Sequence, residues 1–149
     1  MEEPMFTLIR RLALTALVAI GLLNPVMADE HKRTFFYNIT TDDTWAAGMA
    51  AGQANKALEA GQEVVLFLNV RGVYLASTAR QQDTFAAAGK TPQQLLQATM
   101  DKGGRVIICP MCMKQAGMSM DDVIEGVERG GPDVTFKALN DPDTVVLSY

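Results

Sequence analysis

The chain predicts an α/β fold, a single domain with a mainly parallel sheet of about five strands and helices on both faces. Three observations predict it. Short apolar or β-branched runs at 34–40, 64–69, 105–109 and 144–149 alternate with segments of helical spacing. The run 64–69 (VVLFLN) is apolar without a break until its final Asn, as a strand covered on both faces must be. Helix punctuation falls between the runs: Gly61, the pair Thr91-Pro92 and the pair Gly103-Gly104.

The amino terminus is set apart from this pattern. Arg10 and Arg11 precede an apolar run at 12–23 (LALTALVAIGLL), and Val26-Met27-Ala28 supplies small residues at a cleavage site. That run is short for a membrane span. Residues 1–28 are therefore expected to be a signal peptide cleaved after Ala28, with Met1 or Met5 as the start. Residues 29–33 (DEHKR) form a charged leader holding the single histidine, His31, and 34–149 form the domain.

The elements follow in order. Residues 34–40 (TFFYNIT) read as the first strand. Asp42 or Asp43 caps a helix from about Thr44 to Ala60, with Trp45, Met49, Ala50, Ala54 and Leu58 near helical spacing. Trp45 is assigned to packing or to a subunit contact. The strand at 64–69 leads into a loop, Val70-Arg71-Gly72, and then into 73–76, which suits a helix start or a short extended piece. Residues 81–88 are weakly helical. Thr91 as cap and Pro92 in the first turn open a clearer helix to about Lys102. A strand at 105–109 precedes a short helix at 110–115 stopped near Gly117, and Ser119 with Asp121 and Asp122 starts another turn. A further strand is expected within 123–127, a helix at 132–140, and a last strand at 144–149 (TVVLSY).

Composition narrows the function. The net charge of −4 argues against nucleic acid and anionic membrane surfaces as partners. No second long apolar run follows the first, so no membrane association is expected once the signal is removed. No glycine-rich phosphate loop is present, and no cofactor is expected. Asp121, Asp122, Glu125 and Glu128 read as a solvated face.

The chemistry concentrates at 106–114 (VIICPMCMK), which holds both cysteines of the chain, Cys109 and Cys112. Cys109 ends a buried strand, at the carboxyl edge of the sheet where α/β proteins bind ligands. The turn into the following helix is expected to aim backbone N–H groups at its sulfur and favour the thiolate. Cys112 lies one helical turn on. A C-x-x-C pair closes too short a loop to contribute much as a staple. Outside the cytosol such a dithiol becomes oxidised unless it is kept reduced or is turning over.

Several chemistries fit these residues. The pair resembles the C-P-x-C of thiol–disulfide oxidoreductases, but it falls in the last third of the domain rather than early in it. Cys109, Met111, Cys112 and Met113, with Met118 and Met120 nearby, are candidate soft-metal ligands of the kind that select Cu(I). Zinc is disfavoured by the shortage of ligands, and haem attachment by Met113 standing where histidine is required. A non-catalytic oligomeric interaction module, with incidental cysteines, is the remaining alternative.

Four features together resemble the DsrE/DsrF-like family, including its YchN-like branch, over about 34–149. They are the small-residue helix after the first strand, the segment Gly72-Val73-Tyr74-Leu75 after the second, the cysteine ending the third strand in Cys109-Pro110-Met111-Cys112-Met113, and 120–127 (MDDVIEGV). The resemblance implies a flavodoxin-like domain, a homo-oligomer (trimer or hexamer), and a sulfur-handling role in which Cys109 carries sulfane sulfur as a persulfide. Cys112 would then be the resolving thiol, with Arg71 and Lys114 adding positive charge. Sulfur donor and acceptor thiols or proteins are the implied partners, possession of a signal peptide implies the periplasm, and an enzymatic role would be sulfurtransferase-like. Arg71 stands where the family often has an acidic residue, and export departs from the cytosolic relays.

Overall fold

The computed structural model describes residues 32–149; the expected signal peptide and most of the leader, His31 included, lie outside the described residues. Five strands form one parallel sheet in the order β4-β3-β2-β1-β5: β1 (Thr34–Ile39), β2 (Glu63–Leu68), β3 (Arg105–Ile108), β4 (Glu128–Arg129) and β5 (Thr144–Ser148). The chain steps outward from β1 through β4 and then returns to the far side of β1. Right-handed crossovers place the helices of the outward steps on one face and the returning segment on the other.

The first face carries the larger core. Helix α1 (Thr44–Glu59) and helix α2 (Pro92–Asp101) pack Ala47, Ala50, Ala51, Ala54, Leu95 and Leu96 against Tyr37, Ile39, Leu66, Leu68, Val106 and Ile108. The alanines of α1 allow this close approach, and Asp43 caps it by accepting a 2.8 Å bond from the Ala46 N–H. Helix α2 starts at the expected Thr91 cap with Pro92 in its first turn, and Gln94 completes a capping box with Thr91. The second face is thinner. Phe36, Val65 and Ile107 meet Val134, Ala138 and Leu139 from the returning segment, a π turn (Pro132–Phe136) running into the short helix α4 (Lys137–Leu139). The alternation along β2 accounts for its unbroken apolar run, since Leu66 and Leu68 face one core and Val65 the other.

Two local expectations are corrected. Residues 81–88 form no helix. Phe85 bridges to Lys90 and lays its ring on Gly48, and the Gln82 side chain ties Leu75 O to the Gln93 N–H. With one large apolar residue the segment has no helical face to bury. The strand sought at 123–127 lies at Glu128–Arg129, while Val123 and Val127 are buried in the first core. The glutamate and arginine of β4 are held by the sheet edge and by the Arg105–Glu128 fork, with N···O distances of 2.8 and 2.7 Å. Among the described residues no helix is long and apolar enough to cross a membrane.

Candidate functional site

Cys109 continues β3 by one residue: its N–H donates to Leu68 O at 2.9 Å and its backbone is extended. Pro110 then opens helix α3 (Pro110–Gln115), and the Met113 N–H closes the first turn on Cys109 O at 3.0 Å. Proline suits this first helical position because the N–H it lacks would have no partner there. Gly117, at φ +70°, ends the segment. Both cysteines are half-buried free thiols within one helical turn.

Topology marks this edge. The connection leaving β3 runs over the first face, where Met113 of α3 joins the core, and the connection leaving β4 runs over the second. Adjacent strands whose connections diverge create a crevice at their carboxyl ends, where doubly wound proteins bind ligands. Cys109 stands at that divergence.

The backbone donors are arranged differently from the expectation. Cys109 makes no side-chain cap hydrogen bond, and Pro110 has no N–H to offer. The sulfur that receives a peptide N–H is Cys112 Sγ, from Val70 at 3.1 Å. Val70 begins the 3₁₀ turn Val70–Ala76, which follows β2 and covers its carboxyl end. Burial pushes the Cys112 thiol up, the neighbouring Cys109 sulfur pushes it further, and the Val70 N–H pulls it back.

Arg71 and Lys114 are on the same edge but are not joined to the sulfurs. Arg71 forks onto Asp42 at 2.9 and 2.8 Å, Arg80 adds a 2.9 Å bond to the same carboxylate, and both guanidiniums lie over the Tyr74 ring. The Arg71 hydrogen bonds hold the Asp42 carboxyl below the usual range. The charge of Arg71 is thus committed to anchoring the turn on the loop after β1. Lys114 is exposed in the last turn of α3, where a cation complements the helix dipole. The soft-metal set is not assembled around one point: Met111 is 81% exposed, whereas Met113 is 4% exposed in the core. Among the described residues no three His, Cys, Asp or Glu side chains converge on a metal position. Trp45 is 74% exposed, which removes the packing assignment.

Two participants were not singled out from sequence. Asn69 follows Leu68, whose register partner is Ile108, so it stands across from Cys109. Its amide donates to Asn38 Oδ1, while its own Oδ1 is buried without a protein partner. An asparagine closing the apolar run of β2 is the visible signal. The other participant is Val70, whose role is a backbone matter and leaves no mark in residue type. A cleft of about 760 Å³ lies at the opposite, amino-terminal edge of the strands among Thr34, Glu63, Lys102 and Arg105, away from this chemistry.

A curated protein described as uncharacterized, MK0008 of Methanopyrus kandleri, is 36% identical over 93 residues, covering 61% of this chain and 72% of that one. The fold is similar to that of the ychN protein from E. coli, at TM-score 0.66 and 19% identity over 79% of this chain and 99% of that chain. It is also similar to MTH1491 from Methanobacterium thermoautotrophicum, a protein of unknown function, at TM-score 0.61 and 15% identity over 79% of this chain and all (100%) of that chain. At these identities the two structures speak for the fold alone. The family model described as DsrE/DsrF-like matches residues 32–147, almost the whole described domain, and the chain belongs to the DsrE/DsrF-like family.

Proposed function

We propose that the protein binds or relays sulfane sulfur as a persulfide on Cys109, with Cys112 as resolving thiol. The observation that supports this reading is the pair of free thiols in one helical turn at the divergence of two crossovers, one of them held by a peptide N–H. A Cys109 thiolate takes the outer sulfur of a sulfane donor, and the donor's remaining part leaves as an anion. The Cys112 thiolate then attacks Cys109 Sγ. The bond between Cys109 and the outer sulfur breaks, that sulfur departs as sulfide, and a Cys109–Cys112 disulfide remains. Transfer of the outer sulfur to an external acceptor thiol competes with this step and leaves Cys109 reduced.

The test is intact mass under native, non-reducing conditions with polysulfide or thiosulfate. Wild type gains sulfur on the Cys109 peptide, Cys109→Ser gains none, and Cys112→Ser holds the persulfide longer. Equal loading of Cys109→Ser would sink the assignment.

The same reading includes export to the periplasm, supported by the pattern at 10–28, and assembly of several copies. The thin second face supports assembly, since Phe136 is 57% and Val146 53% exposed beside its small core. Amino-terminal sequencing of protein from the periplasmic fraction should begin at Asp29. Light scattering should show a multimer that Val146→Glu weakens.

A further inference from the structure

Val70 is the only described residue other than glycine with positive φ, at +49°. A β-branched side chain in the left-handed region is a backbone outlier, of the kind that persists only where its surroundings over-determine it. They do so here. The Asn69 N–H donates to Ile39 O at 3.0 Å, the Arg71 N–H to Thr40 O at 3.1 Å and the Gly72 N–H to Asn69 O at 2.8 Å. The Arg71 fork onto Asp42 clamps the turn from outside, and Gly72 sits so tightly on β1 that a Cβ would lie 2.2 Å from Ile39 O. Every neighbouring amide of the turn is used to anchor it. The Val70 N–H is instead aimed at the Cys112 sulfur, while the valine side chain is 60% exposed and makes no core contact that would account for its backbone.

We propose that this clamped turn exists to hold the Val70 peptide N–H on Cys112 Sγ, where it stabilises the negative sulfur and so makes Cys112 the thiol able to resolve a modified Cys109. The use in resolution rests on the persulfide reading above; the stabilisation of the thiolate does not. The donor is fixed before the sulfur ionises, so charge develops against an oriented dipole rather than against water that must reorganise. It also works against the burial that raises the Cys112 thiol. Cys109 makes no side-chain cap hydrogen bond, and its sulfur is hydrogen-bonded to Cys112 rather than to a peptide N–H.

The test removes one donor. An amide-to-ester replacement at Val70, made by semisynthesis in the Cys109→Ser protein, replaces the N–H by an oxygen and keeps the side chain, while weakening Asn69 O as the acceptor of the Gly72 N–H. The same replacement at Arg71 deletes the bond to Thr40 O and leaves the sulfur untouched. The pH profile of Cys112 alkylation is then measured for all three proteins. The Val70 ester is expected to move the midpoint up by about one pH unit and to slow alkylation at neutral pH about tenfold, with the Arg71 ester at the parent profile. A Val70 ester with the parent profile overturns the proposal, as does an equal shift in both esters, which would assign the effect to loosening of the turn.

A second measurement needs no backbone chemistry. In Cys109→Ser the Val70 amide resonance should move downfield as Cys112 ionises; an amide that does not follow the thiol titration overturns the proposal. Neither readout involves sulfane sulfur. Absence of sulfur loading with a shifted Val70 ester would therefore refute the relay and spare the hydrogen bond.

Discussion

Replacing Gly72 by alanine is the sharpest test of how the site is built. The new Cβ would stand 2.2 Å from Ile39 O and 3.0 Å from its carbonyl carbon, where ordinary contact begins at 3.4 Å. Both atoms are backbone of a central strand, so no side chain can swing away. The turn has to withdraw from β1 by about 1 Å, and overpacking of this kind costs about 1–3 kcal/mol. Withdrawal also stretches the Asn69 N–H bond to Ile39 O and the Arg71 N–H bond to Thr40 O, 3.0 and 3.1 Å long, each worth about 1 kcal/mol. The expected loss is about 3 kcal/mol, or about 12 °C in Tm at about 4 °C per kcal/mol for a domain of this size.

Urea and thermal unfolding followed by circular dichroism measure it. Gly52→Ala provides the contrast, because Gly52 lies inside α1 with nothing within 4 Å of its Cβ position. That change should stabilise by about 0.5–1 kcal/mol through helix propensity. A Gly72→Ala protein within about 0.5 kcal/mol of wild type, under the surface-substitution range, would refute the tight seating of the turn. A stable Gly72→Ala protein with unchanged Cys112 reactivity would also separate that seating from the site.

Three further outcomes follow from single contacts. Val70→Gly should raise stability by about 1 kcal/mol, since glycine adopts φ +49° without strain; no gain in urea midpoint would mean the valine is unstrained. Asn55, buried between α1 and α2, donates to Ala51 O, Leu95 O and Thr99 Oγ1. Asn55→Asp should cost about 3 kcal/mol or more at neutral pH by setting a carboxylate against two carbonyls, and unfolding at pH 4 and 7 should show the penalty shrinking as that carboxyl protonates. The Arg105 hydrogen bonds hold the Glu128 carboxyl below its ordinary value of 4.5. The stability this adds is present above pH 4.5 and is lost as pH falls through the lower folded value, so Glu128→Gln should lower Tm at pH 7 and converge with wild type under acid. Because the fork is about 40% exposed at each partner, the effect at pH 7 should not exceed about 1 kcal/mol.

Much of the fold was written in the chain because its signals are local. The β-branched and aromatic content of β1, the unbroken apolar run of β2, the Thr91 cap and the Cys109-Pro110 break each depend on a handful of adjacent residues, and each names an element whatever its surroundings. By itself the sequence also determined that both thiols lie within one turn at the carboxyl end of a strand. Tertiary structure decided the rest. Only packing against the β3 edge makes a strand of Glu128 and Arg129, and the Phe85 contact with Gly48, its bridge to Lys90 and the Gln82 ties hold 81–88 in a non-helical path. The fork onto Asp42 draws Arg71 away from the role its neighbourhood suggested. The donor to the site's sulfur comes from Val70, 42 positions before Cys112. A peptide N–H is common to every residue but proline, so residue type cannot announce where it points; that direction belongs to the path of the backbone, and three strands and a clamped turn set it.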